Sequence, residues 1–561
     1  MAKNHDQKDM SLEQLNITAA QHPKLWEPAM LVLTILLCVL GCIIGLELMA
    51  NTGTTPNTSL VGALVAIIIS RIPISMFMKL RSVHRQNIIQ TAISGATFSI
   101  ANCMFLTVGV PIVMGRSDLM IPMLIGCTLA TCIDATVLYK CYDTPMFPGE
   151  GAWPPGVAAA ETIMAVIQKG KRAVLLLVGM AGGAVGKAIG LPMDLLGVSW
   201  FGNFAAMMGL GVGSLVIGIV KTNSVGFTLF GHKFSFATEV LGANFDSGSL
   251  AVTYLGHGLM IGAGMVSLIQ AARILMKKDD GDSSAVSRFT SSMKDMRNAF
   301  GLGYIAYAAV ALAVAVVCGL WSEMSPGMFI LWIAFAAVSA LISEMMVGIS
   351  AMHSGWFPGF ATAFVFLIIG MLIGFPPLPL GILAAYTAST GPCFSDMGYD
   401  LKCGYILRGN GKDPELERAG RKQQYYAELL GFGIAFLMML FFANNYFDQG
   451  MFAPVSNTYA STIAAGTTPE IAKWLIIWAI PGAIIQAAFG SSQVGILFAT
   501  GILVGNTLNG VTILVALLIR YIVVKRNKEN IQILTILGAG ALAGSALYSF
   551  FTATLGLAKK K

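Results

Sequence analysis

The sequence predicts an all-α polytopic membrane protein with about 12–16 transmembrane helices, arranged in two halves and interrupted by broken or re-entrant segments. Apolar residues make up 56% of the 561 residues, and charged residues only 11%, whereas soluble domains carry about 25% charged residues. A soluble protein with so few charges would leave its surface uncovered, but a surface that faces lipid needs none. Apolar runs long enough to cross a bilayer, about 20 residues each, recur along the chain.

The apolar runs divide at a polar stretch, 277–297, near the middle of the chain. They lie near 30–50, 58–79, 89–114, 118–139, 173–190, 204–220, 247–275, 299–321, 326–348, 356–375, 378–395, 425–445, 471–490, 494–524 and 531–556. The run 494–524 is too long for one span and suits two. We therefore predict a cytoplasmic tail over 1–28, a first transmembrane half over 29–275, a cytoplasmic linker over 276–298, and a second transmembrane half over 299–558.

Glycine and cysteine contents fit a helical membrane protein. The 62 glycines include Gly179–Gly186 and Gly209–Gly213, strings in which small side chains let membrane helices approach closely. Most of the nine cysteines lie within apolar runs, and none form a CxxC motif. We read them as small core residues and predict neither a disulfide framework nor a zinc site.

The charge pattern concerns orientation and not nucleic-acid binding. The net charge of +7 comes from basic residues clustered in short loops, which the positive-inside rule places in the cytoplasm. This puts the N-terminus in the cytoplasm. The first 28 residues lack the order of a cleaved signal peptide, so 30–50 is expected to stay in place as a signal anchor. The compact loops suit a bacterial cytoplasmic (inner) membrane.

Several segments are too rich in Pro, Gly or charge to form ordinary spans. They are 147–156, 227–248, 348–360 and 374–379. Irregular backbone at membrane depth survives only where it is buried or lines a watery cavity. We expect these segments to mark a translocation path, the alternative being plain interfacial turns.

Two motifs resemble the oligopeptide transporter family, the superfamily that includes the yellow stripe-like metal-chelate transporters. In Trp153–Glu161 (WPPGVAAAE), the residues Pro154, Gly156, Ala158, Ala160 and Glu161 fall on the family pattern. In the segment 395–424, the matching residues are Asp396, Asp400, Leu401, Lys402, Gly404, Tyr405, Gln423 and Gln424. Weaker similarity lies at 87–95 and 349–359.

The resemblance implies a proton-coupled carrier of small peptides, peptide-like molecules or metal chelates. The chain departs from the family pattern at Arg85, where the family often has Glu, and in the charged insert 409–420. We predict a symporter that imports small peptides or peptide-like solutes across the cytoplasmic membrane by alternating access. The same-family alternative is a transporter of metal-chelate or siderophore complexes.

Ionisable residues in apolar surroundings are functional candidates by default, because each costs about 2.5–3.5 kcal/mol at mid-helix on insertion scales. A proton-coupled carrier needs a carboxylate that binds and releases a proton, and Glu161, Glu239 and Glu344 are our candidates. The alternative for each is a pairing with a cation. Asp134 also lies in an apolar run. Asp396 and Asp400 are four residues apart and would share one helix face, although Asp400 and Lys402 suit a structural role at a cytoplasmic helix end.

The remaining candidates for the substrate or proton pathway lie near the breaks. They are Trp153, Pro154, Gly156, His257, His353 and Tyr399. The helix that follows the Pro–Pro pair would direct its positive N-terminus at an anionic group. The histidines are too scattered to define a metal site by spacing, and no cofactor is predicted.

Two other function classes are less favoured. An enzyme is not predicted, since the chain has no GxxxxGK[ST], HExxH or GxSxG motif. A channel would also use broken helices, but no repeated filter motif is evident. The expected partners are membrane lipid, a small-molecule substrate, protons and, as an open alternative, a second copy of the chain in a homodimer; nucleic acid is not expected.

Overall fold

The computed structural model of the protein describes residues 17–52, 62–63, 82–165, 171–222, 224–229, 232–237, 249–276, 289–355, 357–466, 468–489 and 492–560. In the first half of the chain, the helices are α1 (Pro28–Thr52), α2 (Val83–Val113), α3 (Met120–Cys141), α4 (Pro154–Ala165), α5 (Lys171–Ala188), α6 (Met193–Phe201), α7 (Phe204–Thr222) and α8 (Leu255–Met276). In the second half, they are α9 (Met293–Val317), α10 (Pro326–Ser354), α11 (Gly359–Ile373), α12 (Pro377–Ala388), α13 (Pro392–Leu407), α14 (Pro414–Phe447), α15 (Pro454–Ala465), α16 (Pro469–Phe489), α17 (Val494–Val504), α18 (Thr507–Arg526) and α19 (Asn530–Lys560).

Short elements complete this part of the chain. A π-helical segment, Ser99–Phe105, interrupts α2. Single helical turns lie at Ala19–Gln21, Ser117–Leu119, Leu250–Thr253 and Leu320–Ser322. Strands β1 (Ser224–Leu229) and β2 (His232–Ala237) form an antiparallel hairpin. The predicted all-α polytopic fold is confirmed, with this hairpin as an addition.

The long apolar helices correspond to the predicted spans. Within the described residues, nine helices are long and apolar enough to cross a membrane, and five shorter apolar helices accompany them. The run 494–524 divides into α17 and α18, as its length predicted. The run 531–556 lies within the single helix α19. The predicted run 58–79 lies almost entirely outside the described residues.

Local sequence sets where the helices begin and end. Eight of the described helices, α1, α4, α10 and α12 to α16, begin at a Pro, where the missing N–H has no intrahelical partner to lose. Three breaks fall on glycines with positive φ: Gly355 (71°), Gly374 (94°) and Gly391 (96°). Glycine adopts this conformation without steric cost. The first two breaks were predicted, and the third, which separates α12 from α13, was not.

The other predicted breaks are only partly described. The segment 147–156 connects α3 with the start of α4 and is irregular up to Trp153. The segment 227–248 overlaps the hairpin as far as Ala237, and its remainder lies outside the described residues.

Helices from both ends of the chain pack against one another. One group joins α1–α3 to α9, α10, α12 and α14, with the pairs α2–α14 and α3–α9 in close contact. A second group joins α5–α8 to α16–α19, through the pairs α5–α19, α8–α16 and α7–α17. Helix α13 contacts α2, α3, α4, α10 and α14, and so lies where several of these helices meet. The division into two sequence halves stays a prediction, and residues 277–288 of its linker lie outside the described chain.

The segment before α1 folds back onto the helices. The Leu25 amide donates to Gln423 Oε1 at 3.0 Å, and the Arg85 guanidinium binds the Glu27 carboxylate at 2.9 Å. Arg85 is a position at which the chain departs from the family pattern. In this chain, Arg85 therefore has an ion-pair partner, Glu27.

Close helix contacts use the predicted glycine strings. A Cβ at Gly179 would lie 2.5 Å from the Leu537 carbonyl oxygen, and one at Gly540 2.9 Å from the Gly179 Cα. Gly183 similarly faces the backbone of Ala541. The small residues thus let the backbones of α5 and α19 touch, which is the packing mode expected between membrane helices.

We expect Gly183→Ala to destabilise the protein by about 1–3 kcal/mol, the usual cost of overpacking. The added Cβ would lie 2.7 Å from Ala541 Cα, a backbone atom that moves only if a helix moves. The neighbouring Gly182 has nothing within 4 Å of its added Cβ. Gly182→Ala is therefore the matched control and should change stability by at most about 1 kcal/mol, the helix-propensity difference. Unfolding in detergent measures both, and equal stabilities would contradict the contact.

Candidate functional site

Helix α13 forms the scaffold of the candidate site. It is buried along nearly its whole length, although it carries Asp396, Asp400 and Lys402. Gly391 and Pro392 start the helix directly after the unpredicted break. Four groups of side chains surround α13: a carboxylate cluster, a polar network at its C-terminal end, a carboxyl pair at its N-terminus, and an aromatic group beside α4.

The carboxylate cluster consists of Asp396 and Asp400 from α13 and Glu428 from α14. One oxygen of each carboxylate lies within 4.8 Å of an oxygen of the other two, and all three residues are buried. Asp396 and Asp400 share one face of α13, as their spacing predicted. Glu428 faces them because Gly95 of α2 has no side chain; a Cβ there would lie 2.7 Å from Glu428 Cδ.

Polar side chains of α2 support the cluster. Ser94 Oγ donates to the Asp396 carboxylate, at 2.9 and 2.8 Å from its two oxygens. Gln90 Nε2 donates to Asp400 Oδ1. Both residues are fully buried. These donors stabilise negative charge on the two aspartates.

The C-terminal end of α13 is held by a second polar network. Gln424 Nε2 donates to the Asp400 carbonyl at 2.6 Å and to Thr91 Oγ1 at 3.1 Å. Gln424 Oε1 accepts from Arg408 Nη1 at 2.9 Å. Arg408 also binds both oxygens of Glu417, at 2.8 and 3.0 Å, and neither side chain is exposed. Gln424, one of the two Gln residues of the family-like motif, therefore connects α14 to α13 and α2.

The carboxyl pair consists of Asp134 of α3 and Glu344 of α10. Asp134 accepts from the backbone amides of Gly391, at 3.0 and 3.1 Å, and Phe394, at 2.7 Å. It thereby caps the N-terminus of α13. Glu344 accepts from the Tyr307 hydroxyl at 2.6 Å and is close enough to Asp134 for a hydrogen bond between the two carboxyl groups. Both carboxyl residues are completely buried.

The aromatic group joins the start of α4 to α13. The Trp153 ring packs edge-on against Tyr399, with centroids 6.0 Å apart, and fills the space beside Gly398. Trp153 has a φ of +37°, an uncommon conformation for a residue with a side chain, and its amide donates to the Met352 carbonyl at 2.8 Å. Gly156 lets α4 approach the Tyr399 carbonyl and Lys402 Cβ. Trp153 Nε1 and the Tyr399 hydroxyl are buried and have no hydrogen-bond partner among the described residues.

Lys402, for which the sequence predicts a structural role at a cytoplasmic helix end, lies in the C-terminal half of α13. It is buried, and its Nζ donates to the Gly149 carbonyl at 2.7 Å. Asp400 is buried as well, four residues from Asp396 in the cluster.

Of the other predicted residues, three lie on α4, α8 and α10, and one lies outside the described residues. Glu161 is buried on α4, beyond Pro154 at the helix start. His257 of α8 packs on Phe364, with ring centroids 4.7 Å apart. His353, near the end of α10, has Nδ1 3.1 Å from the Ile349 carbonyl oxygen. Glu239 lies outside the described residues.

Sequence reasoning does not identify Glu428, and it marks Asp134 only as an ionisable residue in an apolar run. Glu428 lies in the apolar run 425–445, so the same rule that selected Glu344 would have found it. It also lies one helical turn after Gln424, which the motif had singled out. Ser94 and Gln90 carry no such signal, because polar uncharged residues are common between membrane helices.

The fold and the buried polar groups define a polytopic integral membrane protein with ionisable residues concentrated around one internal helix. The family model described as OPT oligopeptide transporter protein matches residues 237–555, more than half of the chain. The chain therefore belongs to the OPT oligopeptide transporter family, which makes it a membrane transporter. The match includes α13 and α14, whereas the similar segments 87–95 and 153–161 lie outside it. No curated protein matches the chain.

Proposed function

We propose that the protein is a proton-coupled symporter that imports small peptides or peptide-like solutes by alternating access. The observation that carries the proposal is the buried pair Asp134–Glu344 at the N-terminus of α13. Peptides are the substrate class because the chain belongs to the oligopeptide transporter family. Metal-chelate complexes are the same-family alternative.

The pair can hold one proton without leaving a buried charge unsupported. Two adjacent carboxylates in a low-dielectric interior do not both ionise readily. Asp134 accepts three backbone contacts from the start of α13, which favour its charged form. Glu344 is then the group that takes up and releases the coupled proton, beside the Tyr307 hydroxyl.

Proton release would weaken the hold of this pair on α13. With Glu344 ionised, the two negative charges repel, and Asp134 is the residue that ties α3 to the Gly391 and Phe394 amides. The state in which Asp134 holds α3 against the start of α13 would then be less stable than a state in which water reaches the pair. A proton thereby biases an equilibrium between two states, as a coupling ion must.

Broken helix ends near α13 suit an anionic substrate group. Gly355, after α10, packs against Pro154 and Pro155 at the start of α4, and Gly359, at the start of α11, packs against Pro392. The N-termini of α11 and α13 therefore lie together, whereas the N-terminus of α4 lies beside Gly398 and Tyr399, further along α13. Helix N-termini carry partial positive charge, which would favour a peptide carboxylate. Trp153 and Tyr399 would contact side chains of the peptide.

The setting that we propose is a bacterial cytoplasmic membrane, with the N-terminus in the cytoplasm. The asymmetry of Lys and Arg between loops supports this orientation. A homodimer is an alternative to a monomer, and cross-linking in the membrane would separate them.

Uptake into proteoliposomes with an imposed inward proton gradient tests the proposal. One sample receives a pool of di- to tetrapeptides, and another receives iron-chelate complexes. Gradient-dependent accumulation of peptides supports the proposed function, and accumulation of chelates alone would replace the substrate class. Accumulation of neither by folded protein would overturn the proposal, and electrical recording would then test a channel.

A further inference from the structure

We propose that Asp396, Asp400 and Glu428 form a binding site for a hard divalent cation such as Ca²⁺. The site is separate from the Asp134–Glu344 pair and does not depend on the transport activity proposed above. It draws ligands from two helices, α13 and α14, and its supporting residues from a third, α2.

Glu428 is the residue that points to a ligand. It is completely buried, and neither carboxylate oxygen has a hydrogen-bond partner among the described residues. One of these oxygens lies within 4.8 Å of oxygens of Asp396 and Asp400. A buried carboxylate without a donor is costly, so a group that binds between the three residues would satisfy it.

The donor set selects the class of cation. Carboxylate oxygens suit Mg²⁺, Ca²⁺ and Mn²⁺, whereas softer metals prefer sulfur and imidazole. Ca²⁺ binds oxygens at about 2.3–2.6 Å, so two ligands on opposite sides of one ion lie about 4.6–5.2 Å apart. The three carboxylate oxygens lie within 4.8 Å of one another, so one Ca²⁺ can reach all three, and its flexible coordination tolerates ligands from two helices better than the near-octahedral geometry that Mg²⁺ demands.

The charge of the cluster favours a divalent ion over a monovalent one. Three ionised carboxylates carry three negative charges, of which a divalent ion neutralises two. The neighbouring cations are engaged elsewhere: Lys402 Nζ donates to Gly149, and Arg408 binds Glu417 and Gln424. Ser94 and Gln90 donate to the aspartates from α2, as residues behind metal ligands commonly do.

Space for the ligand carboxylate depends on Gly95. A Cβ at this position would lie 2.7–2.8 Å from the Cδ and both oxygens of Glu428. Gly95→Ala would therefore displace the carboxylate without removing a charge. This variant separates the geometry of the site from its net charge.

Equilibrium dialysis of the purified full-length protein against radiolabelled Ca²⁺ tests the site directly. We expect saturable binding of about one ion per chain, weakening as the pH falls because the ligands must be deprotonated. Glu428→Gln should weaken binding by at least about 100-fold, and Ser94→Ala or Gly95→Ala by about 10–100-fold, the range for residues behind the ligands. Glu470→Gln, which changes an exposed carboxylate at the start of α16, is the matched control and should bind normally.

Binding that is absent at millimolar Ca²⁺, or equal in all folded variants, would overturn the proposal. Displacement of Ca²⁺ by an equal concentration of Na⁺ would overturn the divalent assignment. If Glu428→Gln fails to fold, Ser94→Ala provides the same comparison. Because dialysis requires no transport, Ca²⁺ binding without peptide uptake would leave this site intact and refute only the proposed function.

Discussion

Replacing Glu344 with glutamine should reduce proton-driven peptide uptake by at least about tenfold, equivalent to about 1.4 kcal/mol. The amide cannot release a proton, so the gradient can no longer drive the change between the two states. The fold should persist, because the amide oxygen still accepts from Tyr307, 2.6 Å from the native carboxylate. Exchange of labelled peptide without a gradient should continue, since it requires substrate binding but no net proton movement.

The matched control for this experiment is Glu323→Gln, which changes an exposed carboxylate in the loop before α10. It should transport at the normal rate. Uptake by Glu344→Gln equal to that of the unmodified protein, at equal expression, would remove Glu344 from the coupling mechanism. Loss of exchange together with driven uptake would instead assign Glu344 to substrate binding or folding.

Arg408→Met should destabilise the protein by about 3–5 kcal/mol, the usual effect of leaving one partner of a buried ion pair unpaired. Arg408 and Glu417 are both fully buried and share two hydrogen bonds. The guanidinium also lies close to Gly404 and Gly420 and donates to Gln424. Its loss therefore leaves Glu417 charged in a dry environment and releases the residue that joins α14 to α13 and α2.

Denaturant unfolding in detergent micelles measures this effect against a matched ion pair. Arg116 and Asp118 are 2.7 Å apart, but their side chains are 38% and 62% exposed. Arg116→Met should change stability by at most about 1 kcal/mol. The double variant Arg408→Met, Glu417→Leu should recover part of the loss, because no buried charge is then left unpaired. Equal effects of the two single arginine variants would show that burial of the Arg408 pair is unimportant.

The local part of the site was predictable. The spacing of Asp396 and Asp400 placed both on one helix face, and the rule for ionisable residues in apolar runs selected Glu344. The same rule also applies to Glu428, but the apolar run that contains it was interpreted only as a transmembrane span. The burial of Lys402 was not predictable, since nothing in a single segment shows that its Nζ donates to Gly149, from the loop before α4.

The contacts between distant segments were not predictable in the same way. Asp134 and Gly391 are far apart in the chain, and Ser94 meets Asp396 only because α2 packs against α13. The break at Gly391 was also hidden, because the residues around it read as one apolar run. Its position became evident only from the positive φ of this glycine in the folded chain.

The sequence by itself determined the membrane environment, most helix starts and stops, and the glycine-rich faces of the helices. Each of these follows from local composition: hydropathy selects the bilayer, and Pro and Gly limit the backbone angles. Only the tertiary structure decided that α13 is buried among helices from both ends of the chain, and which carboxylates meet there. Apolar helices in lipid have no strong pattern that selects their partners, since the lipid is as apolar as their side chains. Close packing and a few polar contacts make that choice, and both exist only in the folded protein.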